Sequence, residues 1–132
     1  MLERLRQLEE NVASLEIFKA EHSLAEIEKA TTLQWALRYG IMESIQIVID
    51  TACHICSSKN LGTPKNYGDC IRFLARFGYL KPEPADELLS IIGLRNLIIH
   101  EYAGIDTGRL YGFLESLDIF RSYAEAIRET LG

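Results

Sequence analysis

Proline is scarce in this 132-residue chain, and its three copies all fall between Pro64 and Pro84. Helix-breaking punctuation is therefore confined to the middle, and both flanks are open to long helices. Cysteine is scarce too: Cys53, Cys56 and Cys70 leave an odd thiol under any intramolecular pairing, which fits a reducing compartment. No apolar run is long enough to span a bilayer, and the opening MLERLRQLEE is charged and helical rather than basic and then apolar. Neither a membrane anchor nor a secretory signal is expected, which places the protein in the cytoplasm. Positive charge is also in deficit, with 14 Lys and Arg against 19 Asp and Glu, a net charge of −5. That balance excludes a general attraction to nucleic acid, so any RNA site must be local. Repeats, low-complexity segments and strand signals are missing as well.

What is present is apolar periodicity. The length fits one domain over 1–132 with a single core, and 48% hydrophobic with 25% charged residues is an ordinary globular composition. Leu2, Leu5, Leu8, Val12, Leu15 and Phe18 recur at three- and four-residue steps, the mark of one apolar helix face. Ser23 and Glu26 form a capping-box pattern, and Thr31 or Thr32 can cap a further start, so a turn is expected here. Leu33, Leu37, Ile41, Ile45, Val48, Ala52 and Ile55 predict a second, long amphipathic helix. The segment SSKNLGTPKNYGD breaks it; Asp69 then suits the cap of a short helix ending near Phe77, and Pro84 suits the first turn of the next. That helix, carrying Ile91, Ile92, Leu94, Leu97, Ile98 and Ile99, is apolar nearly all round, as expected for one buried in a bundle or between subunits. After Asp106, Leu110, Phe113, Leu117, Phe120, Ala124, Ile127 and Leu131 form the stripe of a last helix. The fold class expected is all-α: an antiparallel bundle of four long helices and a short one.

Residues 95–102, RNLIIHEY, set polar groups inside an apolar run. Buried unpaired they would be costly, so they either find partners or line a cleft. On a regular helix Arg95 and His100 diverge by roughly 140°. Asn96 and His100, four apart, and Arg95 and Tyr102, seven apart, make two polar pairs on neighbouring faces. A second copy across a two-fold axis would bring two arginines and two histidines together. Histidine can take the proton of a ribose 2′-hydroxyl or give one to the departing oxygen. Arginine can hold the charge developing on phosphate oxygens. Spacing alone favours the plainer reading, a His100 at a helix C-terminus and an Arg95 paired to a carboxylate.

The pattern R-N-x-x-x-H-x-Y, followed by GID and a helix with an early Tyr111, resembles the HepT-like ribonuclease toxins of the HEPN superfamily. ALRYGIMESIQIVIDTACHI resembles the second helix of that family and YGDCIRFLARFGYL its middle segment, so the likeness covers most of the chain. The resemblance implies a homodimer whose paired motifs meet in a cleft and cleave RNA, tRNA among the substrates expected, with neither metal nor cofactor. It implies that Arg95 and His100 are the catalytic pair and Asn96 an orienting or substrate-contacting residue. It further implies a minimal nucleotidyltransferase antitoxin as partner, which transfers AMP to Tyr102. AMP there would set bulk and negative charge beside His100. Glu43 and Asp50, seven apart on the second helix, resemble acidic positions of the family and could pair with Arg95 or orient His100; a solvated acidic stripe is the plainer alternative.

Other features invite less. CHIC at 53–56 reads as core, since zinc would need further ligands at suitable spacing. Trp35 and Tyr39, four apart, read as packing. Arg72 and Arg76, four apart, form a local basic patch able to hold RNA phosphates, with an ordinary solvated face as the plainer alternative. The competing function is a non-catalytic companion of a nucleotidyltransferase that binds a nucleotide between its helices. A merely structural, dimerising adaptor is the third reading.

Overall fold

The computed structural model describes residues 1–100 and 106–131. The first apolar stripe becomes α1 (Leu2–Glu21), with Leu5, Leu8, Val12 and Leu15 buried. At its first residue the stripe leaves the core, since Leu2 is exposed. The expected turn at Ser23 is a short helix of its own, α2 (Leu24–Lys29). Its capping box is complete: Glu26 N–H donates to Ser23 Oγ at 3.2 Å, and Ser23 N–H to Glu26 Oε1 at 3.5 Å. Neither Thr31 nor Thr32 caps the next helix, because α3 (Thr31–Ser58) has Ala30 at its N-cap position with no side-chain bond.

α3 is the axle of the bundle, in contact with all six other α-helices among the described residues. It lies so close to α1 that a Cβ on Gly40 would meet Leu15 Cδ2 at 2.7 Å. Its buried face carries Leu37, Ile41, Ile45, Val48, Ala52 and Ile55, as the periodicity predicts, and also Ile47, Ile49 and Thr51. A helix packed on several sides buries more than one stripe.

The short middle helix is α4 (Tyr67–Arg76), and its cap is Asn66 rather than Asp69. Asn66 Oδ1 accepts from Asp69 N–H at 2.9 Å, so Asp69 sits in the first turn instead. The helix ends in a Schellman motif, with Gly78 N–H donating to Ala75 O and Tyr79 N–H to Leu74 O. Gly78, at φ 84°, supplies the left-handed residue that this motif needs. α5 (Pro82–His100) begins at Pro82 with Pro84 in its first turn, as expected. It packs against α3, α4 and α7.

Asp106 caps the last segment, accepting from Gly108 N–H at 2.9 Å. The single helix expected there is broken into α6 (Thr107–Phe113), a 3-10 turn (Leu114–Ser116) and α7 (Asp118–Leu131). The break lets Leu114, Leu117 and Phe120 all reach the core. Four long helices (α1, α3, α5 and α7) and the short α4 thus form the antiparallel bundle, with two further short helices at its corners. Two ion pairs clamp α7 to α1: Arg121 with Glu16 at 2.6 Å and Arg128 with Glu9 at 2.5 Å.

CHIC is more than core. Cys53 is disulfide-bonded to Cys70, with Cα atoms 5.1 Å apart, tying α3 to α4. Cys56 is the buried thiol left over, and it donates to Cys70 O. Burial pushes its pKa up.

Candidate active site

Two helices build the site. α5 presents Gly93, Asn96 and His100 as one exposed stripe at steps of three and four, while Arg95 beside it is half-buried against α3. His100 is the last described residue of α5. Tyr102 lies outside the described residues.

Arg95 is held from three sides. Its Nε donates to Gln46 Oε1 on α3 at 3.1 Å, its Nη1 donates to Asn96 Oδ1 at 3.3 Å, and its guanidinium lies over the Tyr67 ring, 5.0 Å from the centroid. A planar cation stacked on an aromatic face and bonded through Nε and Nη1 keeps its remaining N–H groups available.

The acidic residues do not pair with Arg95. Asp50 Oδ2 accepts from Arg4 at 3.0 Å and its Oδ1 from Gln46 Nε2 at 2.8 Å, so it reaches Arg95 only through Gln46. Glu43, two turns earlier on α3, also faces α1, accepting from Gln7 at 3.1 Å and Asn11 at 2.9 Å. The Tyr39 hydroxyl also donates to it, and with Asn11 holds its carboxyl below the usual range. The expectation that either carboxylate pairs with Arg95 is corrected: an amide suits that place better, because it fixes the guanidinium without neutralising it. Gln46 could have been found in the sequence, lying three residues after Glu43 and four before Asp50 on one helical face.

Beside Arg95 a cleft of about 590 Å³ opens between the start of α4 and the exposed stripe of α5. Lys65, Tyr67, Arg72, Gly93 and Asn96 line it. Arg72 enters this cleft while bonded to Asp69 at 3.0 Å. Arg76, expected in the same patch, is not among the lining residues and lies over Phe73 instead. Trp35 and Tyr39 do not pack inward either: they are 61% and 68% exposed and form, with Met42 and Ile98, an apolar groove of about 540 Å³ along α3. Among the described residues no group of three His, Cys, Asp or Glu side chains is placed to hold a metal ion.

An all-helical bundle that fixes an arginine at the rim of a basic cleft, with a histidine on the same helix, defines a class. The chain belongs to the ribonuclease HepT-like family, whose model matches residues 8–127. It is 26% identical over 98 residues to the mRNA nuclease HepT of Shewanella oneidensis, 74% of each chain being covered. Its fold matches a tri-AMPylated Shewanella oneidensis HEPN toxin solved in complex with MNT antitoxin, with a TM-score of 0.86 at 20% identity over 96% of this chain and 95% of that one. It also matches YutE from Bacillus subtilis, a cytosolic protein of unknown function, with a TM-score of 0.74 at 19% identity over 96% and 89% of the two chains.

Proposed function

We propose that this ribonuclease cleaves single-stranded RNA without a metal ion, using Arg95 and His100, and that it acts as the toxin of a toxin–antitoxin pair in the cytoplasm. The observation that carries this is the clamped Arg95 guanidinium at the rim of the cleft, on the helix that also carries His100. The ribose 2′-oxygen attacks the adjacent phosphorus as a histidine takes its proton, and the P–O5′ bond breaks as the 5′-oxygen receives one. The products are a 2′,3′-cyclic phosphate and a 5′-hydroxyl. Arg95 holds the charge that builds on the non-bridging oxygens.

The active unit is a homodimer. The exposed Trp35 and Tyr39, with Met42 and Ile98, make an apolar groove of the kind that a second copy covers. It lies against Gln46, and so beside Arg95, which sets the two arginine–histidine pairs near the two-fold axis. One His100 then serves as base and its copy as acid. An MNT-type antitoxin is the second partner, and AMP on Tyr102 blocks the cleft with bulk and negative charge. The relatives solved with such a partner support this reading.

The test is cleavage of total tRNA and mRNA in a metal chelator, by protein whose intact mass shows no AMP. Cleavage that disappears in Arg95→Ala and His100→Ala is the expected result, with cyclic phosphate at the new ends. Intact RNA, with saturable nucleotide binding that survives His100→Ala, would instead make the chain a nucleotide-binding companion of the nucleotidyltransferase.

A further inference from the structure

The cleft between α4 and α5 contains a residue that packing does not explain. Gly93 lies in the interior of α5, where glycine is among the poorest helix formers. A Cβ built on it would meet nothing within 4 Å, in contrast with Gly40, whose missing side chain makes room for Leu15. The empty space at Gly93 is the cleft itself, which any larger residue would fill.

The chemistry of the walls is specific. Tyr67 supplies an aromatic ring, 45% exposed, that Arg95 already covers in part. Lys65 and Arg72 bring two cations, in a chain whose net charge is −5. Asp69 offsets part of that charge, accepting from Arg72 and from Lys65 N–H, but it does not line the cleft. The first turn of α4 adds the positive end of a helix dipole. Asn96, whose Oδ1 accepts from Arg95, offers its amide N–H groups to an edge. Aromatic surface flanked by cations suits a nucleotide of a single strand better than a protein side chain.

The geometry points to a nucleotide subsite adjoining the scissile phosphate. We infer that one nucleotide of single-stranded RNA seats its base in the space kept open by Gly93, against Tyr67, with its phosphate on Lys65 and Arg72. Gly93 and His100 are seven residues apart on one stripe, about 10 Å along the axis, a span that a short run of extended strand bridges. The inference rests on the proposed RNA cleavage, and it makes Gly93 and Tyr67 determinants of affinity rather than catalytic residues.

The test uses the full chain in a His100→Ala background, with fluorescence anisotropy of a labelled single-stranded oligoribonucleotide of mixed sequence. Gly93→Leu should weaken binding about tenfold, on the scale of one lost stacking contact, while its melting temperature holds or rises because leucine is the better helix former. Tyr67→Ala should weaken it similarly and Tyr67→Phe should restore it. Gly112→Leu, which adds the same side chain in open space on α6, should change nothing. In otherwise native protein Gly93→Leu should raise KM more than it lowers kcat. If the parent cleaves RNA and Gly93→Leu binds and cleaves as the parent does, the subsite is wrong although the ribonuclease reading stands. A Gly93→Leu variant that loses its dimer in sedimentation would also overturn it, since the cleft would then be a subunit contact. A parent that neither binds nor cleaves RNA would remove both readings.

Discussion

Gln46 accepts a hydrogen bond from Arg95 Nε at 3.1 Å across the α3–α5 interface. Its amide nitrogen is taken by Asp50 Oδ1 at 2.8 Å, so the acidic side chain sets which end of the amide faces the guanidinium. Asp50 thereby reaches Arg95 at one remove, itself anchored by Arg4 on α1. Replacing Gln46 by methionine keeps the volume and removes the acceptor. A hydrogen bond to a charged group contributes about 1.5 kcal/mol at the low end, which predicts a loss of roughly tenfold in kcat/KM. The fold should persist, since Gln46 is not in the core. Asp50→Asn should act in the same direction and more weakly, because its amide can still accept from Gln46. Steady-state cleavage of a short RNA by the three proteins checks this; equal rates would detach Gln46 from the site.

Arg95→Lys tests the fork rather than the charge. A lysine keeps one cation but cannot at once bond Gln46 at one edge, Asn96 at another and stack flat over Tyr67. Loss of a preorganised donor to a developing oxyanion costs about 10²-fold or more in kcat. Single-turnover cleavage should show that loss with RNA affinity much less affected. A lysine variant with native turnover would mean that charge alone suffices.

The contrast between Gln46 and the residues flanking it marks how far the sequence can be read. Arg95, Asn96 and His100 are legible because they interrupt an apolar run in a recognisable order, and the helix spacing correctly sets Arg95 and His100 on different faces. The long helices are legible because apolar steps of three and four persist for many turns. Glu43 and Asp50 stand out by charge, yet which side of α3 meets α1 and which meets α5 is decided by packing in three dimensions. Tyr67 sits in a segment full of turn residues, where periodicity is silent, and it becomes part of the site only because α4 folds back on α5. Trp35 and Tyr39 have a spacing that normally signals burial, and both are exposed. The last helix reads as continuous because the apolar steps run unbroken through Leu114–Ser116, where the backbone tightens to a 3-10 turn.

Acid should loosen the α1–α7 clamp. Hydrogen bonds from Arg128 and Arg121 hold the Glu9 and Glu16 carboxyls below their ordinary value of 4.5. A carboxylate whose folded pKa is depressed contributes stability above its unfolded value, and that contribution is lost as pH falls through the folded one. The melting temperature should therefore be flat above pH 4.5 on this account and drop below it. Glu9→Gln with Glu16→Gln should flatten the acid limb while costing little at neutral pH, since exposed pairs are screened. An unchanged acid limb in the double variant would remove these pairs from the acid response.

Tyr123 is a buried phenol that joins α7 to α3. Its hydroxyl lies 2.7 Å from Thr51 Oγ1 and donates to Val48 O at 3.2 Å, and burial pushes its pKa up. Tyr123→Phe leaves Thr51 its donation to Ile47 O at 2.8 Å, so no buried donor is stranded. The cost should be the net value of a hydrogen bond, about 1 kcal/mol, rather than the larger penalty of an unpaired group. A urea double-mutant cycle with Thr51→Val should show coupling of similar size. Additive effects would show that the two hydroxyls do not share a bond.

The Cys53–Cys70 bridge makes stability depend on redox state. It closes a loop of 17 residues, spanning the Gly- and Pro-bearing break between α3 and α4, and a loop of that length restricts the unfolded chain by about 3 kcal/mol. Oxidised protein should therefore unfold at higher urea than protein held in reductant, by a few kcal/mol at most. Alkylation after unfolding should count one thiol, Cys56, in the oxidised form and three in the reduced form. Because α4 carries Tyr67 and Arg72 and α3 carries Gln46, opening the bridge should also loosen the wall of the cleft against the arginine it serves. RNA affinity should fall on reduction, and Cys53→Ser should reproduce that lower value with or without reductant. Three reactive thiols after exposure to a mild oxidant, together with coincident urea curves in both conditions, would show that the two sulfurs stay apart in solution.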